Sequence, residues 1–281
     1  MRFWLAVLGS VTIFLCYLCF CGLTQDTSSS FPGELEAITI LMYHKISPDP
    51  HAGGLGLRVP PEEFDWQMAY LKTQGYTVVS MDDVADFVQG GRSLPPKPVA
   101  ITFDDGYRDN YLYAWPVLKK HGFCATIYLV VNAIGGYNFF DAGRQPRNEM
   151  LRWDEIRAMA ATRQITFGAH TLDHPSLTAV SSEAARYQIV AAKGLLEKAL
   201  SRRVDHFSYP YGDYDSEIAA MVERAGYRTA VTCVQGVNRP GDNPFVLKRI
   251  RVSGRYDNRR FASVLAHYGS AAGEQKGTVR R

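Results

Sequence analysis

Val99-Ala100-Ile101-Thr102-Phe103-Asp104-Asp105-Gly106 is an apolar run that ends on two adjacent carboxylates and a glycine. A short apolar run closed by turn residues reads as a buried strand. Working outward, seven similar runs recur, at Ala37–Tyr43, Thr77–Ser80, Ala125–Val131, Ile165–Ala169, Val204–Tyr209, Thr229–Val234 and Phe245–Val252. Segments with helical spacing lie between them. Pro61 to Gln74 carries Phe64, Met68 and Leu71 on one stripe and stops at Gly75. Tyr107–Lys120, Trp153–Thr162, Ser181–Leu200, Tyr214–Ala225 and Asp257–His267 follow the same logic. Strands alternating with helices imply an α/β fold with a mainly parallel sheet, open or closed into a barrel.

In such folds chemistry collects at the carboxyl ends of the strands. The candidate residues fall there: His44 after the first strand, Asp104 and Asp105 after the third, His170 and His174 after the fifth, Tyr211 after the sixth. His170-Thr171-Leu172-Asp173-His174 places two imidazoles four residues apart, a spacing that lets both face one side of a helical turn. With Asp105 they make three protein donors for a divalent ion, leaving a position for water as catalytic metal sites do. Mixed N/O ligation suits zinc and admits cobalt, nickel or iron. Asp104 is then the base that takes a proton from the activated water. Taken separately, Asp-Asp-Gly is a common turn and His-x-x-x-His a common surface pair; together on two strand ends they point to a metal site.

His44, in Leu41-Met42-Tyr43-His44, is suited to protonate a leaving amine near neutral pH, or is simply a hydrogen-bonded strand-end imidazole. Tyr209-Pro210-Tyr211-Gly212 fixes a turn whose backbone N–H groups can face a developing oxyanion. Tyr209, Pro210 and Arg249 are expected on the substrate side of the site.

Hydrophobic residues make up 46% and charged residues 21% of the 281, ordinary for a globular protein. A net charge of +3 gives no argument for a nucleic-acid partner. Arg2 is followed by an almost uncharged run, Phe3 to Leu23. Signal peptides carry an apolar core of about 7–15 residues and a spanning helix about 20, so the run reads as a long signal or an uncleaved membrane anchor. Cys19 and Cys21 follow bulky Leu18 and Phe20, unlike lipid-attachment sites. Residues 1–24 are thus expected to send the chain to the periplasm, cell surface or membrane. Residues 25–36 form a polar tether, 37–268 the folded body and 269–281 a disordered tail. Cys124 and Cys233 read as buried thiols, with one disulfide as the alternative.

Thr102-Phe103-Asp104-Asp105-Gly106, His170-Thr171-Leu172-Asp173-His174 and Phe207-Ser208-Tyr209-Pro210-Tyr211-Gly212, in that order, resemble the NodB-homology polysaccharide deacetylases, carbohydrate esterase family four. The resemblance spans roughly residues 37 to 268. It implies a distorted (β/α) barrel of about seven parallel strands and release of acetate from N-acetylated sugars. It also implies Asp104 as base, Asp105, His170 and His174 as ligands, and the Tyr211 N–H as oxyanion donor. Two positions depart from the pattern: Ser208 stands where many members have Arg, and Leu247-Lys248-Arg249 where many have Leu-x-His. With the early Tyr43-His44 and Trp153-Asp154, these departures resemble the branch acting on poly-β-1,6-N-acetylglucosamine in biofilm matrices. In that branch His44 takes the acid role. Arg249 can supply the cation that the missing Arg would give Asp104, or belong to a charged strand edge. The alternatives are peptidoglycan, chitin oligomers or acetylxylan at the same site, or an inactive glycan-binding relative.

Overall fold

The computed structural model describes residues 37–141 and 143–269. The expected leader and tether, and the tail from residue 270 onward, lie outside the described residues. Among the described residues, no helix is long and apolar enough to cross a membrane.

The elements run β1 (Thr39–Tyr43), β2 (Lys45–Ile46), β3 (Arg58–Val59), α1 (Pro61–Thr73), β4 (Thr77–Val79), α2 (Met81–Val88), β5 (Pro98–Phe103), α3 (Trp115–His121), β6 (Ala125–Leu129), α4 (Trp153–Ala161), β7 (Ile165–Ala169), α5 (Ser182–Leu200), β8 (His206–Ser208), α6 (Ser216–Arg224), β9 (Thr229–Val231), β10 (Ile250–Arg251) and α7 (Asn258–Gly269). The main sheet has the order β10-β1-β5-β6-β7-β8-β9, with β4 added along the start of β5. All its ladders are parallel. This is a distorted (β/α) barrel. β2 and β3 form a separate small ribbon.

Strand residues alternate between two cores, as the period of a strand requires. Leu41, Ile101, Ile127, Phe167 and Phe207 pack outward under the helices. Ile40, Ala100, Tyr128 and Val231 face inward and meet Met81, Val84 and Phe87 of α2. Helix α2 therefore plugs the amino end of the barrel. It was not expected from the sequence, although Ser80 and Asp83 form a reciprocal capping box at its start.

Three other expectations need correction. The helix foreseen over Tyr107–Lys120 is a π-helical stretch, Asn110–Ala114, followed by the short α3. Pro116 at the second position of α3 lacks an N–H and crowds the preceding turn, which opens the helix there. The strand foreseen over Phe245–Val252 shortens to Ile250–Arg251 because the segment changes partner midway. Its first half bonds to the last strand (Leu247 N–H to the Ala230 carbonyl, 2.9 Å) and its end to the first (Val252 N–H to the Met42 carbonyl, 3.0 Å). That segment closes the barrel. Gly269 belongs to α7 and not to the tail. Cys124 and Cys233 are both free thiols.

Gly168, paired with Tyr128 across β6 and β7, is required by space. A Cβ there would stand 2.5 Å from Cδ1 of Tyr128 and 2.7 Å from the His206 carbonyl oxygen. Gly168→Ala is expected to lower stability by about 1–3 kcal/mol in urea unfolding with an unchanged slope. A variant as stable as the wild type would show that the Tyr128 ring yields freely.

Candidate active site

The two adjacent acids separate because of how β5 ends. Asp104 continues the strand, its N–H donating to the Tyr43 carbonyl at 3.0 Å. Asp105 (φ 73°) and Gly106 (φ 81°) then both turn left-handed. A side chain at 106 would collide with Leu129 at 2.7 Å, so glycine is needed there. The turn sends the two carboxylates in different directions.

Asp104 points to Arg249. The Arg249 guanidinium is fully buried and lies on the barrel-closing segment. Its Nη1 donates to Oδ1 of Asp104 (2.7 Å) and Oγ1 of Thr102 (3.2 Å), and its Nη2 to Oδ2 of Asp104 (2.6 Å) and Oγ of Ser208 (3.2 Å). Nε donates to the Thr232 carbonyl at 2.9 Å. All five guanidinium donors are thereby used. Burial pushes the Asp104 carboxyl up, but the bidentate Arg249 cation outweighs it and holds it below the usual range. Asp104 is an ionised carboxylate at neutral pH.

Asp105 points the other way, to His170 and His174. Its Oδ1 lies 3.4 Å from Nε2 of His170 and 3.5 Å from Nε2 of His174, and the two Nε2 atoms are 3.2 Å apart. All three residues are buried. The imidazoles are not on a helical turn, as the spacing suggested. They flank a loop in which Thr171 (φ 67°) and His174 (φ 62°) are left-handed. His174 N–H donates to Oγ1 of Thr171, and Gln188 Oε1 accepts from the N–H groups of Leu172 and Asp173.

The donor set fits a divalent cation. Tetrahedral zinc with bonds of about 2.0–2.1 Å spaces its donors about 3.3–3.4 Å apart, close to the observed triangle. His170 Nδ1 lies 2.7 Å from the Ser208 carbonyl oxygen, an acceptor only, so Nδ1 keeps its proton and Nε2 is the atom that would give up its own and offer a lone pair to a cation. Burial, reinforced by His170, pushes the His174 imidazole down to about 4, keeping it neutral and able to ligate. Burial raises Asp105, but the hydrogen bond from His170 and the surrounding imidazoles hold it below the carboxylate range. Burial also opposes charge on His170, yet Asp105 and Asp104 outweigh it and raise that pKa. The carboxylate charge that favours a proton on this ring also favours a cation beside it.

His44 stands half-buried at the end of β1. Its carbonyl accepts from Nδ2 of the buried Asn110 at 2.8 Å. Burial lowers its pKa, while Asp105 and Asp104 pull the other way. Tyr211 (φ 62°) follows β8. Tyr211 is 46% exposed and its ring meets His174 edge-on at 4.7 Å, while the Phe140 ring also lies 4.7 Å from that of His174.

The structure therefore gathers Asp104, Asp105, His170, His174, His44 and Tyr211 at one end of the barrel. It removes three residues from the substrate side. Tyr209 is fully buried, its hydroxyl donating to the Phe245 carbonyl and its ring stacked on Tyr214 at 5.3 Å. Pro210 is buried as well. Arg249 has no exposed surface and no spare donor, so its task is Asp104 and not substrate. Ser208 was noted in the sequence only as a departure, yet its carbonyl orients His170 and its hydroxyl accepts from Arg249.

Arg249→Met leaves Asp104 buried without its cation, and breaking such a pair costs about 3–5 kcal/mol. Because Asp104 has a depressed folded pKa, its stabilisation is present above the unfolded value of about 3.9 and is lost as pH falls through the folded one. In the variant, burial alone raises that pKa, so the deficit against wild type should be largest at pH 7 and shrink on acidification. Urea unfolding at pH 7 and pH 4 measures this; equal deficits would mean that the charge pair is not the cause.

The polysaccharide deacetylase family pattern matches residues 91–230. The Bacillus subtilis (strain 168) protein YxkH, which bears a polysaccharide deacetylase name, is 33% identical over 230 residues, 82% of this chain and 76% of that protein. The poly-β-1,6-N-acetyl-D-glucosamine N-deacetylase of Staphylococcus aureus (strain MRSA252) is 24% identical over 203 residues, 69% and 68% of the two chains. Among solved structures, the Streptococcus pyogenes deacetylase PplD in complex with acetate superposes with a TM-score of 0.71 at 27% identity, covering 82% of this chain and 98% of that one. IcaB from Ammonifex degensii gives 0.70 at 25% identity, covering 84% and 98%. Barrel, strand-end triangle and kinship agree: the chain belongs to the polysaccharide deacetylase family.

Proposed function

We propose that this protein is a metal-dependent N-deacetylase acting on a β-linked N-acetylglucosamine polymer of the cell envelope or biofilm matrix. The observation that carries the reading is an ionised, uncoordinated Asp104 beside a triangle of Asp105, His170 and His174. A base adjacent to a cation site, and distinct from its ligands, is the arrangement that hydrolysis by an activated water needs.

Zinc best matches two imidazoles and one carboxylate, with cobalt, nickel or iron as substitutes. When bound, the ion would polarise the acetyl carbonyl and acidify a water. Asp104 accepts the proton of the attacking water, its ionisation secured by Arg249. The backbone N–H of Tyr211 faces the developing oxyanion. His44 protonates the amine as the C–N bond breaks and acetate leaves. His44 is partly exposed at the end of β1. The sequence relative that acts on poly-β-1,6-N-acetyl-D-glucosamine supports the substrate assignment. The apolar run from Phe3 to Leu23 supports export, by signal peptide or membrane anchor.

Acetate release from β-1,6-linked N-acetylglucosamine oligomers, stimulated by zinc, cobalt or nickel and abolished by chelation, is the expected outcome. Faster release from β-1,4 oligomers would move the substrate to chitin or peptidoglycan. Asp104→Asn should lower kcat by about 10²–10⁴.

His44→Ala provides a separate check on the acid. Expelling an amine needs a proton far more than expelling a phenolate does. The variant should therefore lose about 10² or more on the oligomer and much less on an activated acetate ester. Equal losses on the two substrates would remove His44 from the acid role.

A further inference from the structure

The exposed aromatic side chains are unevenly distributed. Among the described residues they are Tyr113, Tyr137, Phe139, Tyr187 and Tyr211, and three of these five border the active site or lie on the adjacent loop 135–150. Large apolar side chains left in water at a catalytic mouth mark a binding surface more often than a packing accident.

The rings are also continuous with the site. Tyr211 and Phe140 both touch the His174 ring at 4.7 Å, and Phe139 meets Phe140 edge-on at 5.8 Å. Arg144 joins the loop to the strand-end turn, its Nη2 donating to the Tyr211 hydroxyl at 2.9 Å and its guanidinium lying 5.6 Å from the Tyr211 ring. The loop that carries Phe139 is braced from within. The buried Asn138 donates to Asp141 (2.5 Å) and to the Pro146 carbonyl (2.9 Å), and accepts from Asn148 N–H (2.7 Å). Tyr107 adds a hydroxyl donation to Asp141 at 3.2 Å. Phe139 is thus held outward by a built loop, where a collapsed one would bury it.

We infer that Phe139, Arg144 and the Tyr211 ring form a subsite for the sugar next to the one being deacetylated. The C–H face of a pyranose ring matches exposed aromatic faces. Arg144 Nε and Nη2 are held by the Asp141 and Phe140 carbonyls and the Tyr211 hydroxyl, which leaves the Nη1 N–H groups as donors for hydroxyl or acetamide oxygens. Phe139 lies one aromatic ring, that of Phe140, beyond the imidazole that Tyr211 touches directly, so an oligomer extending past the catalytic sugar meets more of this surface than a single N-acetylglucosamine does. The inference rests on the polymer-deacetylase reading above and adds which residues make the enzyme prefer a chain.

Phe139→Ala and Arg144→Gln separate the subsite from the chemistry. On a β-1,6-linked N-acetylglucosamine pentamer, Phe139→Ala should raise KM about tenfold with kcat within a factor of about two, the size of one lost aromatic contact. Hydrolysis of a small activated acetate ester should be unchanged. Arg144→Gln should act in the same direction. Equal losses on pentamer and ester, or an unchanged KM for the pentamer, would overturn the subsite. If the wild type cleaves the ester but releases no acetate from any oligomer, the functional reading fails instead. The subsite is then judged by calorimetric binding of the pentamer to metal-loaded His44→Ala, with and without Phe139→Ala: a tenfold loss of affinity upholds it and equal affinities reject it.

Discussion

A buried guanidinium with every donor matched governs this structure. Arg249 bonds Thr102 and Asp104 at the end of β5, Ser208 at the end of β8 and the Thr232 carbonyl after β9. It is carried by the irregular segment that closes the barrel between its last and first strands. A buried ion pair adds little net stability over apolar packing, but half of one is strongly unfavourable. Any register of the closing segment that parted Arg249 from Asp104 would leave both charges stranded. The same bond that fixes the seam therefore fixes the charge of the proposed base.

That arrangement explains how two neighbouring carboxylates stay ionised. Two acids sharing one site normally push one pKa up, because like charges resist coexistence in a dry environment. Here both lie below their ordinary value, for different reasons. Asp104 has a committed cation in Arg249; Asp105 has the hydrogen bond from His170 and the imidazoles around it. The left-handed turn at Asp105 and Gly106 makes the division, since an extended or helical continuation would not send the second acid into the histidine triangle.

Much of this was legible from sequence, and the exceptions have physical causes. β7 occupies the expected residues, Ile165–Ala169, because an apolar run bounded by turn residues leaves little choice. The strand-end gathering of His44, Asp104, Asp105, His170, His174 and Tyr211 follows from strand–helix alternation alone. Helix α2 escaped notice since its eight residues hold few turns of periodicity, though its capping box was readable. Spacing could not show that His174 is left-handed, so a helical turn was assumed where a loop stands. Arg249 was ambiguous for the plainest reason: its partner is 145 residues away. Tyr209 was misjudged by its nearness to Tyr211. Strand alternation turns Phe207 and Tyr209 toward the outer core, and Ser208 between them toward Arg249.

Backbone strain marks the same place independently of any motif. Among the described residues, seven non-glycine positions have positive φ, and Asp105, Thr171, His174 and Tyr211 are four of them. Each such conformation costs on the order of 1 kcal/mol or more and persists only where the surroundings over-determine it. Each of the four lies within a few residues of the carboxyl end of a buried strand, so the barrel supplies that constraint. The strain in turn helps bring one carboxylate and two imidazoles to a common point. Preorganisation of this kind is what an acyl-transfer site needs, since donors fixed in advance need no reorganisation at the moment of reaction. Of the gathered groups, His44 and Tyr211 are the two left partly open to water. Backbone constraint is thus concentrated where charge has to be held, and exposure at the rim of the same group.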